Sequence, residues 1–292
     1  MEERSRGLRE LCRLLGYSSQ AYYQYLKATE SDSFKQEEVI QQVLAHRRLQ
    51  PRLGTRKLLA LTQPAMGRDA FFELLRENGL LVRRKRYRVR TTFSCHRFRK
   101  YRDLTRDLVP DRSDQLWVSD ITYIRVGADF AYLSLITDAY SRKIIGFFMS
   151  HDLSTDNCLS ALRMALANRL TTDRSLIHHS DRGVQYCSNA YTRLLKRKRI
   201  AISMTQSGNP RDNAIAERVN GILKQELLKE SYDNINVAYK SVEQAINIYN
   251  TLRPHSSLDM LTPEKAHEKV GLLKRRWHNY YPQKEMEVAM DK

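Results

Sequence analysis

No run in this chain approaches the roughly 18 uncharged apolar residues that would let a helix cross a bilayer. Residues 1–30, MEERSRGLRELCRLLGYSSQAYYQYLKATE, also lack the unbroken apolar core of a secretory signal. A membrane-bound or exported protein is therefore not expected; a cytoplasmic one, associated with the nucleoid, is. Cysteine is scarce as well. The four cysteines, Cys12, Cys95, Cys158 and Cys187, stand far apart with no CxxC pair, which argues against a disulfide framework or a cysteine-rich zinc site and for free thiols. No internal repeat or low-complexity tract is found, and the apolar content suffices for one large core plus one or two small ones. Acid is the other shortage: 33 Asp and Glu face 50 Lys and Arg, a net charge of +17, and a chain this basic most often meets a polyanion, nucleic acid first among them.

The charge is unevenly placed. In residues 83–102, RRKRYRVRTTFSCHRFRKYR, ten of twenty residues are Lys or Arg and none is acidic, whereas residues 111–150 hold four basic and five acidic side chains. Tyr87, Phe93, Phe98 and Tyr101 are interleaved with the cations, a mixture suited to phosphate contact with rings packing on sugars or bases. A linker that orders on DNA is expected here, with Arg83, Arg84, Lys85, Arg86, Arg88, Arg90, Arg97, Arg99 and Lys100 as its contacts; an ordinary solvated charge run is the alternative. Upstream, Leu8, Leu11, Leu14 and Leu15 recur at helical spacing and break at Gly16, with Ser18 and Ser19 placed to cap a second helix. That outline fits a helix-turn-helix or a plain αα-hairpin equally. Three more helical stretches are predicted at about 35–48, 55–62 and 69–78, the last ended by Gly79.

From Gln115 the texture changes. LWVSDITYIRV, FAYLSLITDAY and KIIGFFMS are β-rich runs separated by turn-compatible breaks. They are followed by a helix at about 154–170, a strand in SLIHHSD, a helix at about 188–198, a strand in IAISM, and a helix after the SGNPRDN loop. The order βββαβαβα predicts an α/β fold, a ribonuclease H-like mixed five-stranded sheet flanked by helices, preceded by a small all-α helix-turn-helix region. The corresponding domains are 1–34, an N-terminal helical segment; 35–82, helix-turn-helix; 83–110, the basic arm; 111–235, the catalytic core; and 236–292, a helical and basic extension.

Carboxylates in this layout suggest chemistry. A two-metal phosphoryl-transfer site needs hard oxygen ligands converging from separate elements, and Asp120 within the first strand, Asp181 after the fourth and Glu217 in the late helix are so placed. The 35 residues between Asp181 and Glu217 carry little weight alone. Asp181 gains from its setting, HHSDRGVQY, a strand end beside a glycine turn. Glu217 gains from the helical wheel: with Ile215 at zero, Val219 and Ile222 fall within about 40°, while Glu217, Gly221 and Lys224 lie opposite and Asn220 sits at the margin. One face then packs on the sheet and the other offers a carboxylate, a small residue and a cation; a merely solvated face is the competing reading.

WVSDITYI, HHSDRGVQYCS, SGNPRDNAIAERVNGILKQE and YNTLRPHSSLDMLTP, in that order, resemble the catalytic core of insertion-sequence DDE transposases of the IS-three type, with a retroviral-integrase-like core. In that branch two reading frames overlap, and this chain resembles the second-frame product. The resemblance spans about residues 40–270. It implies that Asp120, Asp181 and Glu217 form the triad binding two Mg²⁺ ions, with Mn²⁺ as a substitute, and that Lys224, seven positions after Glu217, touches transposon-end DNA; Asn220, at the margin of the same face, is expected as a further DNA contact. The implied reaction is hydrolysis at a transposon end to free a 3′-OH, then in-line attack of that hydroxyl on another phosphodiester, with no covalent enzyme intermediate. Double-stranded DNA (terminal inverted repeats and target), further copies of the chain on paired ends, and a first-frame protein are the implied partners. The family's helix-turn-helix would fall at about 35–90, including GTRKLLALT and FFELLRENGL.

Other residues have plainer readings. Asp138 in ITDAYSRK is read as a turn residue bonding to Ser141 or Arg142 and not as a fourth ligand. Adjacent His178 and His179 on a strand must point to opposite faces, which argues against a joint zinc site. His255 in RPHSS is read as loop structure or as a DNA contact, and Trp117 as core. A non-catalytic DNA-binding regulator and a nuclease that cuts without joining are the alternative functions.

Overall fold

The computed structural model describes residues 2–82, 97–106, 108–170, 175–206 and 213–273, with side chains from residue 7 onward. The expected contacts Arg83, Arg84, Lys85, Arg86, Arg88 and Arg90, together with Cys95 and the loop 207–212, lie outside the described residues. Two compact units divide the chain, 1–83 and 84–292.

The first unit is helical: α1 (Glu2–Leu14), α2 (Ser19–Leu49), α3 (Thr55–Thr62) and α4 (Arg68–Glu77). Ser18 caps α2 as its position suggests, its Oγ accepting from the Ala21 N–H at 3.0 Å. The sequence boundary at 34/35 falls inside α2, which runs unbroken for 31 residues. The polar stretch around Ser31 and Asp32 is carried as helix, with the downstream half anchored by the buried Val39 and Val43. Those two valines join Leu53, Leu58, Phe71, Leu74 and Leu75 in one small core that α3 and α4 share, the pair expected as a helix-turn-helix. After α4, Gly79 at φ +65° lets the chain turn back, with the Leu80 N–H bonding to Leu75 O at 2.7 Å.

The second unit is built on five strands, β1 (Leu116–Val126), β2 (Asp129–Asp138), β3 (Ile144–Ser150), β4 (Ile177–Ser180) and β5 (Ala201–Met204), in the order β3-β2-β1-β4-β5. The first three form an antiparallel meander, and β4 and β5 run parallel to β1. This is the mixed ribonuclease H-like sheet that the element order predicts. Helices α5 (Thr155–Ala167), α6 (Val184–Cys187) and α7 (Asn189–Arg197) precede β5; α8 (Ala214–Ile222), a π-helical turn (Leu223–Leu227), α9 (Ile235–Thr251) and α10 (Pro263–His267) follow it.

Period-two alternation along β1 serves two cores at once. Trp117 faces the cluster built from α5, α7 and β5, whereas Ile124 and Val126 face the cluster built with α8 and α9. Trp117 is fully buried, its indole N–H donating to Asp114 Oδ1 at 3.0 Å. Gly146 on β3 permits the closest approach: a Cβ there would lie 2.9 Å from that of Ala165 and collide with the Ala161 carbonyl of α5.

Candidate active site

Asp120 takes its position from the β1 alternation. Its neighbours two residues either way, Val118 and Thr122, are buried on the face where Ala216 and Lys224 approach, so Asp120 must point to α8 as well. Parallel pairing of β1 with β4 matches Ser119 to Ser180, and one step further along both strands places Asp120 across from Asp181. Asp181, the first residue past β4, is thereby brought near enough to Asp120 for its charge to be felt there. Asp181 is held locally: its Oδ1 accepts from the Gly183 N–H at 2.9 Å.

Glu217 arrives on α8, whose start and middle are both tied to β1. Asn213 Nδ2 donates to Ser119 O at 2.9 Å, and Asn220 Nδ2 donates to Asp120 Oδ2 at 2.8 Å. One turn on, Lys224 Nζ donates to Thr122 Oγ1 at 3.2 Å. Glu217 and Asn220 are three residues apart on one helix face, and Lys224, in the π-helical turn that follows, reaches the same strand through Thr122, while Val219 and Ile222 pack into the core. Glu217 remains exposed.

Charge is under strain here. The Asp120 carboxyl is pushed up to about 7, first by burial and then by the charge of Asp181, with a smaller push from Glu217; hydrogen bonds from the Ile121 N–H and Asn220 oppose this. Partial burial also raises Glu217. Burial lowers Lys224, and the attraction of Asp120 partly restores it. Among the described residues, no group of three or more His, Cys, Asp or Glu side chains stands ready-made around an ion position. The donors nevertheless suit a hard divalent cation. Two carboxylates brought together against their own repulsion, with a third on an exposed and adjustable side chain, are the oxygens such an ion takes, and its charge would relieve the repulsion that raises Asp120.

Two residues expected at DNA are internal. Asn220 is 6% exposed and spends its amide N–H on Asp120. His255 is 8% exposed, with its ring edge-on to Tyr249 and its Nε2 at 3.0 Å from Arg253 Nη1; arginine only donates, so Nε2 is the acceptor. Lys224 is half-buried beside Asp120, and Arg97, Arg99 and Lys100 are exposed. Asp138 is fully buried, its Oδ1 accepting from the Ser141 N–H and Oγ at 2.8 and 2.9 Å and its Oδ2 from the Asp114 N–H, which keeps it a turn residue. His178 and His179 diverge as adjacent strand residues must. His178 Nε2 lies 2.7 Å from Ser119 Oγ and 2.9 Å from Tyr191 OH, and His179 Nδ1 lies 2.8 Å from Ser203 Oγ.

Sequence reasoning passed over Asn213, Thr122 and the pair Glu226–Arg253. Arg253 Nε and Nη2 grip the Glu226 carboxylate at 2.8–2.9 Å, joining the π-helical turn to the RPHSS loop. An asparagine just ahead of an apolar helix is a signal that could have pointed to Asn213; nothing local pointed to the others.

Residues 110–210 and 198–263 match two integrase core domain families. The chain is 33% identical over 267 residues to the insertion element IS600 uncharacterized 31 kDa protein of Shigella sonnei, covering 89% of this chain and 98% of that one. It is 33% identical over 198 residues to transposase InsF for insertion sequence IS3A of Escherichia coli K12, covering 67% and 68%. A match to the transposase for insertion sequence element IS629 of Shigella sonnei is 34% identical over 180 residues, covering 61% and 60%. Among solved structures, the HTLV-2 integrase catalytic core domain in complex with magnesium is similar at 17% identity and a TM-score of 0.42, covering 54% of this chain and 98% of that one.

Proposed function

We propose, on the footing that this chain belongs to the integrase-core family of insertion-sequence transposases, that it hydrolyses transposon-end DNA to a free 3′-OH and directs that hydroxyl in line at a second phosphodiester, joining the strands as the bridging oxygen of the attacked strand leaves. A DNA transposase or integrase function follows from the membership itself; the two-step chemistry is the proposal. One observation supports it: continuing the β1–β4 register by one step puts Asp181, just past β4, across from Asp120, and Asn220 ties the helix bearing Glu217 to Asp120.

In this reading Asp120, Asp181 and Glu217 hold two Mg²⁺ ions, or Mn²⁺ in their place. When bound, the ions supply Lewis acidity at the phosphate and a nucleophile deprotonated near neutral pH. Asn220 fixes the Asp120 carboxylate from behind. Lys224, held against β1 next to Asp120, offers its ammonium to a phosphate of the transposon end. The exposed side chain of Glu217 lets the third ligand adjust as DNA enters. Double-stranded DNA, further copies of the chain on paired ends and a first-frame protein are the partners this reaction calls for, with residues 35–82 as a helix-turn-helix reader.

The test is a gel assay of labelled transposon-end duplex with Mg²⁺ or Mn²⁺, comparing the natural chain with Asp120→Ala, Asp181→Ala and Glu217→Gln. Cutting and joining are expected in the natural chain and lost in each variant, with DNA binding kept. Cutting that survives any one substitution removes that residue from the site. Cutting without joined products makes the protein a nuclease, and binding without cutting, even with a first-frame partner added, makes it a regulator.

A further inference from the structure

Away from the carboxylates, one surface gathers like charges with nothing described to balance them. Helix α7 buries Tyr191, Thr192, Leu194 and Leu195, and turns Arg193, Lys196 and Arg197 outward, with Lys198 and Arg199 following. A cation or two at a helix C-terminus is adequately explained by the helix dipole, which rewards each with about 0.3–1 kcal/mol. Five of them between residues 193 and 199, with no acid between, exceed that need, and Arg193 lies a full turn inside the helix.

The end of the basic arm is laid along β5, next to this helix. The Leu104 N–H donates to Ser203 Oγ at 2.8 Å, and Gln206 Nε2 lies 3.4 Å from Tyr101 O. The Tyr101 ring then receives two cations: Arg99 Cζ is 5.2 Å and Lys196 Nζ 5.8 Å from its centroid. Each cation–π contact is worth only about 0.5–1 kcal/mol at an exposed site, so two like charges sharing one ring gain little against their repulsion. The acid within residues 97–106, Asp103, is turned inward, accepting from the Thr105 N–H and Oγ1 at 2.7 Å. None of the outward cations is held in an ion pair with a described acid.

We propose that the ledge formed by the outer face of α7 and the Arg99–Tyr101 segment is a binding surface for the phosphate backbone of duplex DNA, distinct from the carboxylate site. A polyanion is the partner that removes the repulsion around Tyr101, and exposed lysines and arginines gathered on one helix face and the turn after it fit contact with a phosphate backbone. The inference rests on the transposase reading, and its test separates the two.

The full chain carrying Arg193→Gln, Lys196→Gln and Arg197→Gln is titrated against a random-sequence duplex of about 30 base pairs at several salt concentrations, beside a control carrying Lys229→Gln, Lys240→Gln and Lys269→Gln. Both sets are exposed and remove the same charge. The ledge variant is expected to lower the slope of log Kd against log salt by about 2 to 3, close to 0.9 per lost phosphate contact, and the control to leave it unchanged. Equal slopes in the natural chain and the ledge variant, an equal drop in both variants, or no duplex binding by the natural chain would each overturn the ledge. Mg²⁺-dependent cutting of a transposon end by the same natural-chain sample is scored separately. Its absence, with a first-frame partner added as well as without one, refutes the transferase reading without touching the slope result.

Discussion

Replacing Arg253 by Met keeps most of the aliphatic volume and removes the guanidinium from a side chain that is 1% exposed. Three nitrogen–oxygen contacts of 2.8–2.9 Å to Glu226 disappear, and His255 Nε2 loses its donor at 3.0 Å. Truncating one partner of a buried ion pair costs about 3–5 kcal/mol, because the other charge is left uncompensated. The Glu226 side chain keeps 19% exposure and can regain water, which places the loss at the lower end, about 3 kcal/mol. For a unit of this size that is a fall in Tm of about 6–12 °C. Adding Glu226→Leu removes the stranded carboxylate, so the double variant is expected to recover about 2 kcal/mol in a urea-denaturation cycle. Because Glu226 lies in the turn that also carries Lys224, the single variant is further expected to lose strand cutting more steeply than DNA affinity when both are measured below its melting range. A single variant within about 0.5 kcal/mol of the natural chain, or a double variant as unstable as the sum of the singles, would refute the view that this pair clamps the π-helical turn.

Three further perturbations probe other links. Asn220→Ala removes the amide that donates to Asp120; a hydrogen bond to a charged group is worth about 1.5–3 kcal/mol, so cutting should fall at least about tenfold with Kd for transposon-end DNA unchanged, whereas a weakened Kd would return Asn220 to the DNA interface. Gly146→Ala thrusts a methyl against α5 and should cost about 1–3 kcal/mol or more in urea denaturation, while an unchanged midpoint would mean that the β3–α5 contact is slack. Burial holds His178 down to about 3, below the unfolded value near 6.5. Protonation therefore favours the unfolded chain, and this stability is complete above about pH 6.5 and lost as pH falls toward 3. Between pH 6.5 and 5 the loss is about 2 kcal/mol; His178→Gln should flatten that part of the pH–stability curve, and an equal slope in both proteins would show that the ring is not a buried neutral group.

What the sequence made legible divides by range. The β1 run announces itself through short-range alternation, and that alternation, once the sheet order is known, decides that Asp120 and Trp117 serve opposite faces. The α8 wheel is local in the same sense: Val219 and Ile222 pack inward and Glu217 stays exposed, as a 100° repeat requires. Beyond Ile222 the wheel has no authority, because the Leu228 N–H bonds to Leu223 O, five residues back, at 2.8 Å. Nothing in LKQEL separates an α turn from a π turn; the partner that grips Glu226 is Arg253, 27 positions away. The contact made by Asn220 is hidden from the sequence for the same reason. An amide on the margin of a polar helix face serves DNA or protein equally well in one dimension, and what decides is that β1, 100 residues earlier, places a carboxylate oxygen 2.8 Å from it. Residue type and period thus locate the acids, while the groups that hold those acids in place are chosen by contacts between segments that no local window contains. The α2 helix shows the converse: a local window containing Ser31, Asp32 and Ser33 argues for a stop, and the helix continues because its far end is buried at Val39 and Val43. In this fold the carboxylates proposed to carry the chemistry are the more readable part, and the contacts that hold them are where a sequence-only account and the structure part company.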